Sequence, residues 1–212
     1  MQISELPLFN DLGEDEIEVL KDYIFVREYE PDQFLFLEGE EADSFYVILE
    51  GEVRIVRETL TGKEKILKIL CAGEFFGEMG ILEDKSRSAT ARITEKSRLL
   101  VISREKFLNF VRQYPEVVFN IIIVLSQRLR RANREIEELA FLDVEDRLHK
   151  LLLRRAKKEA GEYVIHQQVT HQELARLLGT SRETVTRAFG KLKDKEVVET
   201  REQGEIVVRE EK

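Results

Sequence analysis

The chain has 212 residues, 42% hydrophobic and 36% charged, and none of its apolar runs approaches the roughly 20 residues of a spanning helix, which excludes an integral membrane protein. Its single cysteine, Cys71, excludes an intramolecular disulfide and cannot by itself hold a metal cluster, so no metal site is predicted. The net charge of −8 comes from residues 1–138, with 19 Lys and Arg against 28 Asp and Glu, whereas residues 139–212 hold 15 against 14 and do not exclude nucleic acid.

The N-terminal part predicts a β-rich unit capped by a helix. The first residues are acidic and lack a basic region, so they are not expected to form a secretory signal or a transit peptide. We therefore predict a cytoplasmic protein with no membrane partner. A short helix is predicted over residues 14–23, with Ile17 and Leu20 facing inward. From Gln33 to Ile102, short β-rich runs alternate with Gly, Asp and Glu turns. These runs are QFLFLEG, SFYVILEG, EVRIVRE, KILKIL, ATARI and RLLVIS.

The segment GEFFGEMGILEDKSRSATARI contains a candidate anion site. Gly77 and Gly80 flank a short turn that can open a helix, whose free N–H groups attract a phosphate. Arg87 and Ser88 can bind the same anion from the following strand. A phosphate would repel Glu78, so we assign this carboxylate to the hydroxyls of an attached sugar. The segment therefore predicts a pocket for a small anionic effector.

The segment after Pro115 contains about 28 residues without Gly or Pro, which predicts one long helix. Apolar residues repeat along it with alternating spacings of four and three, as in a coiled-coil seam: Val118, Ile122, Leu125, Leu129, Ala132, Ile136 and Leu139. The alternative is a helix packed only on its own domain, and the additional apolar residues Ile121, Ile123 and Val124 predict such contacts for its first half. The second half is polar except along the seam, which predicts a homodimer and then a hinge over residues 140–144.

Two helices joined by a tight turn are predicted in the last third of the chain. Thr170 with Glu173, and Thr180 with Glu183, have the spacing of capping boxes at two helix starts. Gly179 supplies the positive φ at which the first helix ends. This order predicts a helix-turn-helix.

The second helix of this pair predicts a DNA-reading face. Small Ala175 allows a close helix crossing, and the shared apolar side consists of Leu174, Leu178, Val185, Phe189 and Leu192. The opposite face carries Arg182, Glu183 and Arg187 near the helix N-terminus, and these residue types suit guanine and cytosine edges in the major groove. The alternative is that these three charged residues form a solvent-exposed helix face with no role in DNA binding. The sequence EVVETREQGEIVV that follows predicts a β-hairpin, as in a winged helix-turn-helix.

Three short motifs occur in order along the chain: FGEMG followed by RSA, then LAFLDV, then SRETVTR. With these motifs the sequence resembles the cyclic AMP receptor protein family of the Crp/Fnr superfamily over essentially its whole length. The resemblance implies an α+β fold with a cyclic-nucleotide-binding-type β-roll at 1–114, a dimerisation helix and hinge at 115–142, and a winged helix-turn-helix domain at 143–212.

The resemblance also implies a set of ligand contacts: Gly77, Glu78, Met79, Gly80, Arg87, Ser88, Ala89 and Asn133. In it, Glu78 binds the ribose 2′-hydroxyl, while Arg87 and Ser88 bind the cyclic phosphate. The chain departs from the family at Ala132 and Asn133, which stand where two adjacent hydroxyl residues contact adenine. Because Asn133 can still bind a purine and Ala132 cannot, cyclic AMP is favoured as effector, with cyclic GMP or another effector left open.

Double-stranded DNA is the second implied partner, contacted by Thr170, Ser181, Arg182, Glu183, Thr184 and Arg187. The two arginines and the glutamate are implied to read a half-site like TGTGA within a palindrome. The family further implies a homodimer that contacts RNA polymerase at activated promoters.

Several other functions are less compatible with the sequence. A regulator of the same fold that needs no ligand, or that senses another small anion, is the first alternative. The cysteine-held cluster of the Fnr branch is not expected with one cysteine, and haem sensing is disfavoured because His149, His166 and His171 all lie in the C-terminal part. A β-roll enzyme is the remaining alternative, but the roll has no histidine and no pairing of nucleophile, base and orienting group, so we predict that the chain is not an enzyme.

Overall fold

A computed structural model of the chain describes residues 3–59, 62, 64–159, 161–166, 169–201 and 204–209. The chain forms two compact units, residues 1–129 and 130–212. The mixture of helices and antiparallel sheets in them confirms the predicted α+β class. The domain boundaries proposed from the sequence stay predictions.

The first unit begins with a short 3₁₀ turn, Ile3–Glu5, and contains an antiparallel roll with helices around it. Its strands are β1 (Ile24–Tyr29), β2 (Phe34–Phe36), β3 (Ser44–Glu50), β4 (Glu52–Glu58), β5 (Glu64–Cys71), β6 (Phe75–Phe76), β7 (Thr90–Ile93) and β8 (Ser97–Ser103). Its helices are α1 (Glu14–Lys21), α2 (Glu78–Glu83), α3 (Arg104–Gln113) and the start of α4 (Pro115–Phe141).

Within the described residues, the roll consists of two four-stranded sheets, in the orders β1-β8-β3-β6 and β2-β7-β4-β5. Alternate side chains of both sheets form one apolar core, which includes Ile48, Val53 and Leu99. All six predicted strands are present. β1 and β6 were missed, because β1 is mostly exposed and has no alternating pattern, and β6 has only two residues.

A second apolar core lies on the outer face of one sheet, against α1, α3 and the first half of α4. It contains the stacked rings of Phe45 and Phe107, whose centroids are 4.4 Å apart. Leu20 is fully buried there and Ile17 packs against the same core, as predicted, although α1 ends at Lys21 rather than at residue 23.

The long helix α4 spans Pro115–Phe141 and confirms the predicted element. Ile121 is buried in the core of the roll unit and Val124 packs against that core, as expected. Ile123 is 53% exposed, so its predicted contact with the domain is wrong; it lies two residues beyond Ile121, on another face of the helix. In the described residues no single helix has the length and apolar composition to cross a membrane, and α3 with α4, bent by 108°, meets that test only as a pair.

The second unit continues with α5 (Val144–Arg155), β9 (Lys157–Glu159), β10 (Glu162–Ile165), α6 (His171–Leu178), α7 (Arg182–Asp194), β11 (Val198–Thr200) and β12 (Ile206–Val208). The strands form an antiparallel sheet in the order β11-β12-β10-β9. Its core joins α5, α6 and α7 to this sheet, with Leu148, Leu174 and Val185 fully buried. A break between α4 and α5, where Asp143 accepts a hydrogen bond from the backbone N–H of Asp146, falls inside the predicted hinge.

Candidate functional sites

A pocket in the roll unit combines residues from both sheets, the turn before α2 and α4. It is lined by Phe36, Ile55, Lys68, Leu70, Phe76, Gly77, Glu78, Met79, Gly80, Arg87, Ser88, Ala89 and Arg128. The structure thus brings together seven of the eight residues predicted to bind the ligand. Asn133 lies in the second unit, and its contact with a purine stays a prediction.

Two glycines shape the turn on which the pocket is built. Gly77 begins α2 with a φ of +85°, and a Cβ there would lie 2.9 Å from Nη1 of Arg87. A Cβ at Gly80 would lie 2.6 Å from Cβ of Ala42 and 2.7 Å from the carbonyl oxygen of Lys85. Glycine is therefore required at Gly77 by the backbone conformation and at Gly80 by close packing.

Arg87 is almost fully buried and is held by the backbone around it. Its Nη1 donates to the carbonyl oxygen of Gly77 at 3.0 Å, and its Nη2 donates to that of Ser44 at 2.7 Å. Nη2 also contacts a carboxylate oxygen of Asp43 at 3.2 Å, and the guanidinium lies 4.1 Å from the ring centroid of Phe36. These contacts fix the orientation of a buried charged group in the pocket wall.

One donor of this arginine is not used by the protein. Within the described residues, Nε of Arg87 is buried and has no hydrogen-bond partner. Burial lowers the pKa of the Arg87 guanidinium, while Tyr46 and Asp43 act in the opposite direction. A guanidinium stays charged at neutral pH, so a buried unpaired donor on it is costly until an acceptor, such as an oxygen of an anionic ligand, takes its hydrogen bond. In the part of the chain that the structure describes, the hydroxyl of Ser88, the next residue, has a single long hydrogen bond, 3.8 Å to the sulfur of Met79.

Glu78 is also buried, and it is paired with an arginine that the sequence reasoning missed. Its Oε1 accepts from Nη1 of Arg128 on α4 at 2.9 Å, and Nη2 of Arg128 donates to the carbonyl oxygen of Phe75. The pair places in the pocket wall a carboxylate whose charge is balanced by an arginine. A signal was present in the sequence, because Arg128 follows Leu125 by three residues and therefore shares the helix face that packs on the roll.

This pair yields a stability prediction. Arg128→Met removes the partner of a buried carboxylate, and we expect a loss of about 3–5 kcal/mol in the free energy of unfolding. The double variant Arg128→Met/Glu78→Gln should recover most of the loss, since a neutral amide is less costly to bury unpaired. Urea unfolding of the four proteins in a double-mutant cycle measures the coupling, and additive losses would contradict it.

The helix-turn-helix is present with one boundary shifted. Thr170 begins α6 and accepts from the backbone N–H of Glu173 at 3.1 Å, and Gly179 ends it with a φ of +69°, both as predicted. The second capping box is wrong. Ser181, not Thr180, precedes α7 and accepts from the backbone N–H of Thr184 at 3.1 Å, because the turn needs one more residue before the second helix can begin.

The predicted reading face is exposed on α7. Arg182, Glu183 and Arg187 all lie on the surface, and the guanidinium groups of the two arginines have no hydrogen bond or ion pair among residues that the structure describes. Hydrogen bonds from its own backbone N–H and from Ser181 hold the pKa of Glu183 below its usual value. Its carboxylate therefore lies over the start of α7. Ser181 and Thr184, predicted to bind DNA, are hydrogen-bonded to each other at 3.0 Å in the cap.

The predicted wing is also present, since β11 and β12 pair in antiparallel register from Val198 opposite Val208 to Thr200 opposite Ile206. Residues 202 and 203 of its turn lie outside the described residues.

Most of the apolar residues of the predicted seam lie on the surface of the chain. Ile122, Leu129, Ile136 and Leu139 are 51–63% exposed, and Ala132 is exposed as well. Val118 and Leu125 are half-buried, and Leu125 packs against the core of the roll unit. A row of large apolar side chains left in solvent is a feature of interaction surfaces.

Comparison with known protein families gives two matches. Residues 26–114 match the cyclic nucleotide-binding domain, and residues 146–212 match the Crp-like helix-turn-helix domain. The first range contains every pocket residue except Arg128, and the second contains α6, α7 and the wing.

Individual relatives match most of the chain. The chain is 36% identical to a cyclic AMP receptor protein of Thermus thermophilus, over 91% of this chain and 88% of that one. It is 34% identical to a CRP-like cAMP-activated global transcriptional regulator of Mycobacterium tuberculosis, over 73% and 71%. Among solved structures, the c-di-GMP responsive global regulator CLP of Xanthomonas campestris has a TM-score of 0.79 at 30% identity and covers 94% of this chain and 100% of that one.

Proposed function

The chain belongs to the Crp family of cyclic-nucleotide-binding transcription regulators, and we propose that it is a cytoplasmic homodimer that binds cyclic AMP in the roll and then a palindromic TGTGA-like DNA site. Contact with RNA polymerase follows from the family and is part of the proposal.

The buried, unpartnered Nε of Arg87 is the observation that carries effector binding. Nη1 and Nη2 of this guanidinium are engaged by two backbone carbonyl oxygens and by the carboxylate of Asp43, so the side chain is already oriented before any anion arrives. A cyclic phosphate can accept from Nε and from the hydroxyl of Ser88, which follows in the chain. Glu78, neutralised by Arg128, is then free to accept from a ribose hydroxyl without repelling the phosphate.

Two effectors have support from the comparisons, cyclic AMP and c-di-GMP. The curated relatives named above are a cyclic AMP receptor and a cAMP-activated regulator, whereas the similar Xanthomonas regulator responds to c-di-GMP. Asn133 offers a donor and an acceptor to an adenine edge, but Ala132 offers neither. These observations favour cyclic AMP and make c-di-GMP the second candidate.

Titration calorimetry tests the effector directly. The purified chain is titrated with cyclic AMP, cyclic GMP and c-di-GMP, and with linear adenosine 5′-monophosphate as a control for nonspecific anion binding. We expect saturable binding of cyclic AMP, weaker binding of cyclic GMP and no binding of the linear nucleotide. If c-di-GMP binds more tightly than cyclic AMP, c-di-GMP is the effector. If none of the three cyclic nucleotides binds, the result supports the ligand-independent alternative.

DNA reading is proposed for α7, whose exposed arginines can each donate two hydrogen bonds to a guanine. In a helix-turn-helix, the second helix presents its N-terminal residues to base edges while the first crosses the backbone. A dimer would meet two inverted half-sites about 34 Å apart, one turn of the double helix.

Alanine substitutions separate base reading from phosphate binding. If Arg182 or Arg187 contacts guanine, its replacement with alanine should cost about 1–3 kcal/mol on the preferred half-site and much less on a site mutated at the matching base pair. If the contact is only with phosphate, the loss should be nearly uniform across sequences.

Glu183 gives the sharper test, since its charge opposes the DNA backbone everywhere. We expect Glu183→Ala to relax discrimination at one C·G pair while preserving or improving nonspecific affinity. Because Glu183 also lies over the start of α7, Glu183→Gln serves as the control that keeps the side-chain shape. A binding-site selection in which Glu183→Ala keeps the wild-type preference would exclude a base contact.

A further inference from the structure

His171 lies at the first position of α6, beside the DNA-reading helix. Its Nδ1 is 2.9 Å from the hydroxyl oxygen of Thr186 on α7, and its ring lies 5.0 Å from that of Phe189. Thr186 follows Arg182 by four residues, so it shares the helix face of a residue proposed to read the DNA. The imidazole is therefore held in a fixed orientation between the two helices, and it is only partly buried.

The hydrogen bonds of Thr186 determine the tautomer of this histidine. The hydroxyl of Thr186 donates to the backbone carbonyl oxygen of Arg182 at 2.9 Å, and a carbonyl oxygen cannot donate in return. A hydroxyl has one proton, so it can only accept from His171. Nδ1 of His171 is then the protonated nitrogen of the neutral ring, and Nε2 is the nitrogen that titrates.

Burial and the neighbouring cations favour the neutral form of the ring in the free protein. Burial lowers the pKa of His171, and the cationic side chains of Arg182 and Lys193 on α7 lower it further. On α6 itself, the carboxylate of Glu173 is engaged by Arg155 at 3.3 Å. The neutral Nε2 is an acceptor, so it has no proton to offer to an anion.

We propose that His171 binds a backbone phosphate of the DNA through Nε2 and takes up a proton when it does so. The proposal rests on the proposed DNA binding, in which the first helix of the pair crosses the backbone. A phosphate near the ring favours the charged form of the histidine and offsets the two cations. Because the free protein favours the neutral ring and a nearby phosphate favours the charged ring, the proposal predicts that DNA affinity falls as pH rises.

Operator affinity between pH 6 and pH 8, at saturating cyclic AMP and constant ionic strength, tests the linkage. We expect wild-type affinity to be at least about tenfold weaker at pH 8 than at pH 6, since each proton taken up can change affinity tenfold per pH unit. His171→Gln should bind weakly with little pH dependence, and His171→Arg should bind tightly at both ends of the range. The control is His166→Gln, which removes a histidine whose pKa is raised by Glu205 and Glu159 and should leave the dependence in place.

Calorimetry in buffers of different ionisation enthalpy counts the protons and gives an independent readout. Loss of proton uptake in His171→Gln but not in His166→Gln is the expected result. Uptake that persists in His171→Gln, or that disappears only in His166→Gln, overturns the assignment to His171. Failure of the wild-type chain to bind the operator at any pH would instead overturn the proposed DNA binding, and this inference with it.

Discussion

Replacing Arg87 with leucine is expected to weaken cyclic AMP binding by about 10- to 150-fold, because the hydrogen bond from Nε to the charged phosphate, worth roughly 1.5–3 kcal/mol, is lost. Gly77 and Ser44 orient the side chain, and its Nε has no partner within the described residues. The substitution therefore removes the donor that is left for the ligand phosphate. Titration calorimetry with cyclic AMP measures the loss.

The same variant is also expected to lose stability, because leucine removes the donors for two backbone carbonyl oxygens. Thermal unfolding must therefore accompany the titration. Arg87→Lys is the matched variant that keeps the charge but not the planar fork, and we expect it to retain part of the affinity. Ser88→Ala removes a hydroxyl whose one hydrogen bond within the described residues is the long one to the sulfur of Met79, so it should weaken binding without a comparable loss of stability.

Unchanged titration by a folded Arg87→Leu protein would remove this residue from the site. If the leucine variant does not fold, Arg87→Lys and Ser88→Ala provide the test instead. Wild-type affinity for cyclic AMP in both of these variants would likewise remove Arg87 from the site.

Replacing Leu129 with glutamate is expected to convert the dimer to monomer at micromolar concentration. Leu129 is 63% exposed in the chain, yet it occupies a seam position at which a coiled coil buries a knob in a four-residue hole. A symmetric dimer would bury two copies of the new carboxylate, each without a partner, and this cost is several kcal/mol. DNA affinity should fall with dimerisation, since a monomer contacts only one half-site.

Gln127→Glu is the matched control, because it adds the same charge two residues away on the outward side of the same helix. Sedimentation velocity should show Gln127→Glu as a dimer and Leu129→Glu as a monomer. A Leu129→Glu protein that remains fully dimeric would show that this row of residues is not the dimer contact.

The sequence alone determined those features that depend on neighbouring residues. The alternating strand pattern predicted six strands of the roll, and spacings of four and three predicted α4. Thr170 and Gly179 marked the ends of α6, since capping and positive φ depend on local backbone conformation. The residues predicted to bind an anion could be brought together for the same reason, as Gly77 and Arg87 are close in sequence and line one pocket.

Only the tertiary structure decided which distant side chains meet. Arg128 and Glu78 are 50 residues apart, and no periodicity could pair them. The carbonyl of Ser44 lies 43 residues from Arg87, so the cradle that leaves Nε unpaired arises only when β3 packs beside the turn before α2. The tautomer of His171 likewise depends on Thr186 from another helix. Local propensity acts over one or two turns of chain, whereas buried polar pairing is set by packing between elements that the sequence does not place side by side.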